Sequence, residues 1–305
     1  SYTGHKWCNH WFHVNHLNDQ SGKMSKSKGD FLTVSLLESK GLKVCLGESI
    51  NAEENQFAGS DELRARDLQK AIDDKQIKAI FFARGGYGSV RIIDKVDFSP
   101  LETNPKWLIG YSDVTAILNH VYFKHSVASL HAIMPINIKK EIFDSSAIES
   151  MLNLLFGKEF SFTTSCDFAQ KDCKVKGKII GGNLSVLYSL LGSESFGETD
   201  DLILLIEDLD EYLYHIDRMM QALKRAGKLK NLKALLVGAM TQMHDNTIPF
   251  GKTAYRIIEE AVKQYNYPKI FGASIGHIEE RNNAVIIGGE TEVEVKENTI
   301  ITKQL

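Results

Sequence analysis

Apolar and polar positions along this chain alternate between two periods. From residue 42 to about residue 135, short apolar runs of strand length give way to stretches with apolar residues at helical spacing, the signature of βαβ units around a parallel sheet. Residues 44–46 predict a short strand. Residues 61–74 predict an amphipathic helix, with Leu63, Leu68, Ala71 and Ile72 on one face and charges on the other. Residues 78–83 predict a buried strand that runs straight into a glycine-rich turn, Arg84, Gly85, Gly86, Tyr87, Gly88 and Ser89, and a helical segment over 90–95. Trp107, Leu108 and Ile109 read as the next strand, and residues 114–118 as the start of a helix.

Beyond residue 137 the pattern turns polar and charge-mixed, with one short helical run over 148–156, so residues 138–176 read as a connection between domains. A second unit then opens with a strand and turn over 177–184 and a helix over 184–191. An apolar strand over 202–206 follows, with Glu207 and Asp208 at its end. A helix over 214–226, a strand over 234–239 and a helix over 252–264 come next. From residue 285 the chain alternates into short strands, with turns at Gly288 and Gly289 and at Glu297 and Asn298.

Composition narrows the possibilities. The 305 residues suffice for two domains, and a formal charge of −3 gives no global attraction to nucleic acid or to anionic membrane. No apolar run reaches the roughly 18 residues needed to span a bilayer, and no charged-then-apolar signal pattern opens the chain, so the expected location is cytoplasmic. Cys8, Cys45, Cys166 and Cys173 have neither zinc-site spacing nor the density of a disulfide scaffold, and read as free thiols.

Ser112 is the most informative residue. It lies in Ile109, Gly110, Tyr111, Ser112, Asp113, where a strand turns sharply into a helix, a geometry that exposes a hydroxyl beside unpaired N–H groups and a positive dipole end. The plain alternative is an N-cap serine. The glycine turn after residue 83 lacks the Lys-Ser/Thr of a P-loop and the spacing of a dinucleotide fingerprint. It is better suited to donating a backbone N–H from Gly86 to an oxyanion, with Asp113 supplying the second donor. A serine nucleophile needs a base held by a carboxylate. His277, beside Gly276 at the end of an apolar segment, and Glu207 are the candidates, against the plain readings of a packed histidine and a solvated acid.

These residues together resemble the LD-carboxypeptidase family, the muramoyl-tetrapeptide carboxypeptidases, which also includes self-immunity peptidases against microcin C. The matching segments run in order from about Gly41 to Leu305. They are Phe57, Ala58, Gly59, Ser60 and Asp61 with Arg64, Asp67 and Leu68; Ala83 to Gly88; Gly110 to Asp113; Gly181 to Leu184; Ile206, Glu207 and Asp208 with Tyr214, Ile216, Asp217 and Arg218; and Gly276 with His277. The resemblance implies a Ser112, Glu207, His277 triad, an oxyanion hole from the N–H groups of Asp113 and Gly86, and neither metal nor cofactor. It also implies hydrolysis of an amide between an L-centre and a terminal D-residue, typically D-Ala from murein tetrapeptide during peptidoglycan recycling, and a possible homodimer. Arg84 is a candidate to pair with a substrate carboxylate, or else to brace the glycine turn. The expected fold class is α/β, with a parallel-sheet, flavodoxin- or Rossmann-like nucleophile domain over 41–137 and a C-terminal α/β domain over 177–305 holding a small mixed, barrel-like sheet.

Residues 1–40 fit a different pattern. Trp7, Trp11 and Phe12, with the run Lys23, Met24, Ser25, Lys26 and Ser27, resemble the lysine-rich loop segment of a cysteinyl-tRNA synthetase. The rest of a synthetase is missing, so neither ATP nor tRNA is an expected partner. His5, Cys8, His10, His13 and His16 invite a metal reading, but inherited packing accounts for them better. On this view the nucleophile domain lacks its usual first βα unit. Between Val34 and Val44 there are too few residues for a parallel crossover, and exposed sheet surface and low stability would follow, with a catalytically inactive or merely peptide-binding chain as the alternative to an active enzyme.

Overall fold

The computed structural model describes residues 10–14 and 30–304. Its framework is one curled, mixed sheet of thirteen strands: β1 (His10–Val14), β2 (Lys43–Leu46), β3 (Ile77–Phe82), β4 (Trp107–Gly110), β5 (Ser129–His131), β6 (Phe160–Ser165), β7 (Cys173–Asn183), β8 (Ile203–Leu209), β9 (Ala234–Thr241), β10 (Lys269–Phe271), β11 (Val285–Ile287), β12 (Glu290–Lys296) and β13 (Thr299–Gln304). The main path runs β10, β9, β8, β7, β11, β5, β4, β3, β1, β2. Every neighbouring pair on it is parallel except β11 with β5.

The long strand β7 explains the curl. Its second half pairs in parallel with β8 from Ile179 to Asn183, while its first half pairs antiparallel with β12, which continues through β13 to β6. The stretch 138–176, read from its polarity as a connection, carries the helix Ser146–Leu155 and all of β6.

Side-chain alternation along the strands builds a core on each face. Ile80 and Phe82 of β3 join the larger cluster, under the helices Asp61–Asp73, Thr115–His125, Leu213–Arg225 and Ala254–Val262; Ala79 and Phe81 join the other, with Leu36, Leu37 and the helix Ser146–Leu155. The helix Asp61–Asp73 starts where Ser60 accepts the N–H of Leu63 at 3.2 Å, an N-cap, with Asp61 and Glu62 in its first turn to complement the dipole.

The expected loss of the first βα unit is corrected by this topology. Residues 10–14 form β1, which lies parallel between β2 and β3, and the helix Asp30–Ser39 leads into β2. The crossover argument fails because it counted from Val34, in the segment Phe31 to Ser35, as though the strand preceding β2 had to end there. That segment is helical, and the chain from residue 15 to residue 42 is ample for a crossover. Leu36, Leu37 and Leu42 are buried, so this edge does not present the bare apolar surface expected of it.

His5, Cys8, His16, Trp7 and the lysine-rich run 23–28 lie outside the described residues, as do the side chains of Trp11, Phe12, His10 and His13. Among the described residues, Cys45, Cys166 and Cys173 are free thiols, and no helix is long and apolar enough to cross a membrane.

Candidate active site

The carboxyl ends of the parallel strands converge on one region, the position where open α/β sheets bind ligands. β3 ends in the glycine turn, β4 in Tyr111 and Ser112, β5 in His131, β7 in Asn183, and β8 carries Glu207.

Ser112 holds a left-handed backbone with φ of 61°, rare for a residue with a side chain. It begins a short 3-10 turn, Ser112–Val114, that runs into the helix Thr115–His125. This is the sharp strand-to-helix turn read from the sequence, and the strain points the side chain out of the regular path. The glycine turn packs directly on it: a Cβ at Gly85 would lie 2.8 Å from Ser112 Cβ and 2.9 Å from its Oγ. Asp113 then locks the two turns together, since its buried carboxylate accepts the N–H of Ser89 at 2.8 Å. Burial pushes the Asp113 carboxyl up, and the hydrogen bonds from Ser89 oppose the shift. Gly86 is exposed with φ of 116°, and Arg84 is half-buried at the base of the turn.

Arg64 supports this turn from below. It is fully buried, pairs with Asp61, and donates from Nη1 to the Gly88 carbonyl at 3.3 Å. A Cβ at Gly88, where φ is 133°, would come within 2.7 Å of that Nη1, so only glycine permits the approach.

Glu207 and His277 form the charged heart of the site. The sequence reading put Glu207 just past the end of its strand; β8 instead continues to Leu209, leaving Glu207 inside the sheet, opposite Asn183 in register and with no exposed surface. A charge there requires a partner. Glu207 Oε2 accepts His277 Nδ1–H at 2.7 Å and the His277 backbone N–H at 3.3 Å. Burial alone would raise the Glu207 carboxyl, but the charge and hydrogen bonds of His277 outweigh it and hold the group below the usual carboxylate range. Burial likewise works against the His277 imidazolium, and Glu207 outweighs it, leaving His277 above its ordinary value. With Nδ1–H committed to Glu207, Nε2 is the nitrogen free to take a proton.

Gly276 makes the pairing possible. With φ of 106°, it faces Glu207 so closely that a Cβ would come within 2.5 Å of Oε2. Thr241 Oγ1, at the end of β9, donates to the His277 carbonyl at 3.2 Å, and the ring of Tyr111 lies 4.8 Å from that of His277. The residue next to Ser112 therefore packs on the imidazole, although Ser112 and His277 come from opposite halves of the chain.

Two residues had no role assigned to them in the sequence reading. Asp208 accepts Asn183 Nδ2 and the N–H of Ser185, each at 2.9 Å, tying β8 to the helix Leu184–Ser189; burial and then the adjacent Glu207 push it up to about 7. His131, also fully buried, has its ring 5.8 Å from that of Tyr111. Neither announces itself by spacing, because each is defined by neighbours on other strands.

Residues 21–132 match the LD-carboxypeptidase N-terminal domain and residues 176–293 the LD-carboxypeptidase C-terminal domain. A probable murein peptide carboxypeptidase of Bacillus subtilis (strain 168) is 31% identical over 272 residues, covering 87% of this chain and 84% of the relative. The murein tetrapeptide carboxypeptidase of Pseudomonas aeruginosa is 28% identical over 219 residues, covering 68% and 71%. The crystal structure of muramoyltetrapeptide carboxypeptidase from Oxalobacter formigenes superposes with a TM-score of 0.84 over 97% of this chain and 98% of its own, at 22% identity, a likeness of fold. The N-terminal match takes in residues 21–40, which the sequence reading set apart as a different pattern. On these grounds the chain belongs to the LD-carboxypeptidase family.

Proposed function

We propose that this protein is a serine carboxypeptidase acting on murein peptides, cleaving the amide between an L-centre and a C-terminal D-residue, typically to release D-Ala from a tetrapeptide. The observation that carries the reading is the buried Glu207–His277 pair, 2.7 Å between Oε2 and Nδ1, packed through Tyr111 on the strained turn that bears Ser112. The names of the relatives supply the substrate class.

In this mechanism His277 Nε2 takes the Ser112 hydroxyl proton as Oγ attacks the scissile carbonyl. The resulting oxyanion is held by the backbone N–H groups of Asp113 and Gly86, fixed donors that need no reorganisation as charge develops. Glu207 keeps the imidazole in one tautomer and stabilises its charged form. The imidazolium then gives its proton to the departing amine of the D-residue. Water, deprotonated by the same nitrogen, cleaves the acyl-enzyme and returns the proton to Ser112. Arg84, at the base of the glycine turn, is the candidate for the terminal carboxylate of the substrate. In the same reading residues 41–137 supply the nucleophile and residues 177–305 the acid and base.

The alternative of an inactive remnant rested on a missing first βα unit, and no observation now favours it. Incubation with a murein tetrapeptide ending in D-Ala tests the proposal. The expected result is D-Ala release that Ser112→Ala abolishes; equal release by both proteins ends the serine assignment.

A further inference from the structure

β5 ends on His131, and packing alone does not account for its surroundings. The side chain is fully buried, yet neither Nδ1 nor Nε2 has a hydrogen-bond partner. Enclosed polar atoms of this kind are uncommon in folded proteins and mark a bound water or a functional role. A second such atom lies on the catalytic carboxylate: Glu207 Oε1 is buried and unpartnered, while Oε2 of the same group holds His277.

Three relationships bring these orphaned groups together. His131 and Glu207 lie within electrostatic reach of one another. The ring of Tyr111 packs against both imidazoles, 5.8 Å from His131 and 4.8 Å from His277. Gly182, one residue before the Asn183 that pairs with Glu207, brings β7 close to both Thr115 and His131, since a Cβ there would stand 2.6 Å from Thr115 Oγ1 and 3.4 Å from His131 Nδ1.

We propose that His131 is a positioning residue for the general base: its neutral ring donates an N–H, through one buried water, toward Glu207 Oε1 and fixes the carboxylate plane in which Oε2 meets His277 Nδ1. The inference rests on the serine-peptidase reading above. A carboxylate held through one oxygen can still turn about its terminal bond, and holding the second oxygen removes that freedom. A single enclosed water is the ordinary partner for polar atoms left without a protein one. Burial pushes the His131 ring down to about 4, so it stays uncharged near neutrality and does not compete with His277 for the catalytic proton.

The test compares His131→Phe, which keeps a ring but no donor, with His131→Asn, which keeps a donor near Nδ1. The expected result is a fall in kcat of about 10- to 100-fold for His131→Phe with KM nearly unchanged, the scale of a hydrogen bond to a charged group, and substantial recovery in His131→Asn. The downfield proton resonance of His277 Nδ1–H should move in His131→Phe and stay near its place in His131→Asn. Equal kcat in both variants with an unmoved resonance overturns the proposal. If His131→Phe does not fold, the ring nitrogen resonances of His131 are compared between the unaltered protein and Glu207→Gln; a shift supports the link, and unmoved signals overturn it. Ser112→Ala is assayed alongside. Retained activity there dismisses the triad, while the resonances judge the His131 to Glu207 link on their own.

Discussion

Glu207 and His277, 70 positions apart in the chain, are joined twice, because one carboxylate oxygen accepts both the imidazole Nδ1–H at 2.7 Å and the backbone N–H at 3.3 Å. The double attachment fixes the ring's tautomer and the path of its backbone together. Glu207→Gln keeps the shape and loses the charge, so it should lower kcat by about 10⁴-fold, the effect of the corresponding change in a well-studied serine peptidase triad. Steady-state kinetics on the tetrapeptide checks this, and a loss below tenfold would show that Glu207 does not govern the base.

Activity and stability should respond differently to pH. His277 must be neutral to accept a proton, and its pKa is held above the ordinary 6.5, so the rising limb of kcat/KM should have its midpoint above pH 6.5. Stability has two limbs of opposite sign. The depressed Glu207 contributes stability present above its ordinary 4.5 and lost as pH falls through its lower folded value. The raised His277 contributes stability present below 6.5 and lost as pH rises through its higher folded value. The stability difference between the unaltered protein and Glu207→Gln should therefore be largest between pH 4.5 and 6.5 and shrink on both sides. Urea unfolding across that range measures it, and a difference independent of pH would contradict the pairing.

Gly85→Ala should act on catalysis more than on folding. The new methyl would meet Ser112 Cβ at 2.8 Å and Oγ at 2.9 Å, so the hydroxyl must shift. A displacement near 1 Å costs about 100-fold in rate when it misaligns reacting groups. The expected signature is a fall in kcat with a thermal midpoint close to that of the unaltered protein.

Asp61→Ala should act on folding. It strips Arg64, fully buried, of its carboxylate partner, and it also releases Arg91, whose Nη2 donates to Asp61 Oδ2 at 2.6 Å. Removing one partner of a buried ion pair costs about 3 kcal/mol. A lower urea midpoint with an unchanged m-value would register this, and a midpoint shift near zero would mean that Arg64 is satisfied by other groups.

Much of this architecture was legible in local pattern. The apolar run before the glycine turn is β3, within one residue of its expected start, and the amphipathic segment after Ser60 is the helix Asp61–Asp73. The strand-to-helix turn at Ser112 is where apolar residues give way to helical spacing. These features depend on neighbours close in the chain, so periodicity and turn chemistry reveal them.

The first βα unit did not show itself in this way, because an aromatic and histidine-rich strand looks foreign beside the aliphatic strands of a parallel core, and the apolar run from Phe31 to Leu37 suits either a strand or a helix. Pairing with β2 and β3 settles the matter for residues 10–14. The burial of Glu207 inside β8, the insertion of β11 between β5 and β7, and the enclosure of His131 beside Tyr111 and Gly182 arise in the same fashion. Turns and amphipathic periods are written over a few residues and can be read there. Strand partners, close glycine approaches and the company a buried charge keeps come into being only when distant segments pack, since each is a property of two or more segments at once.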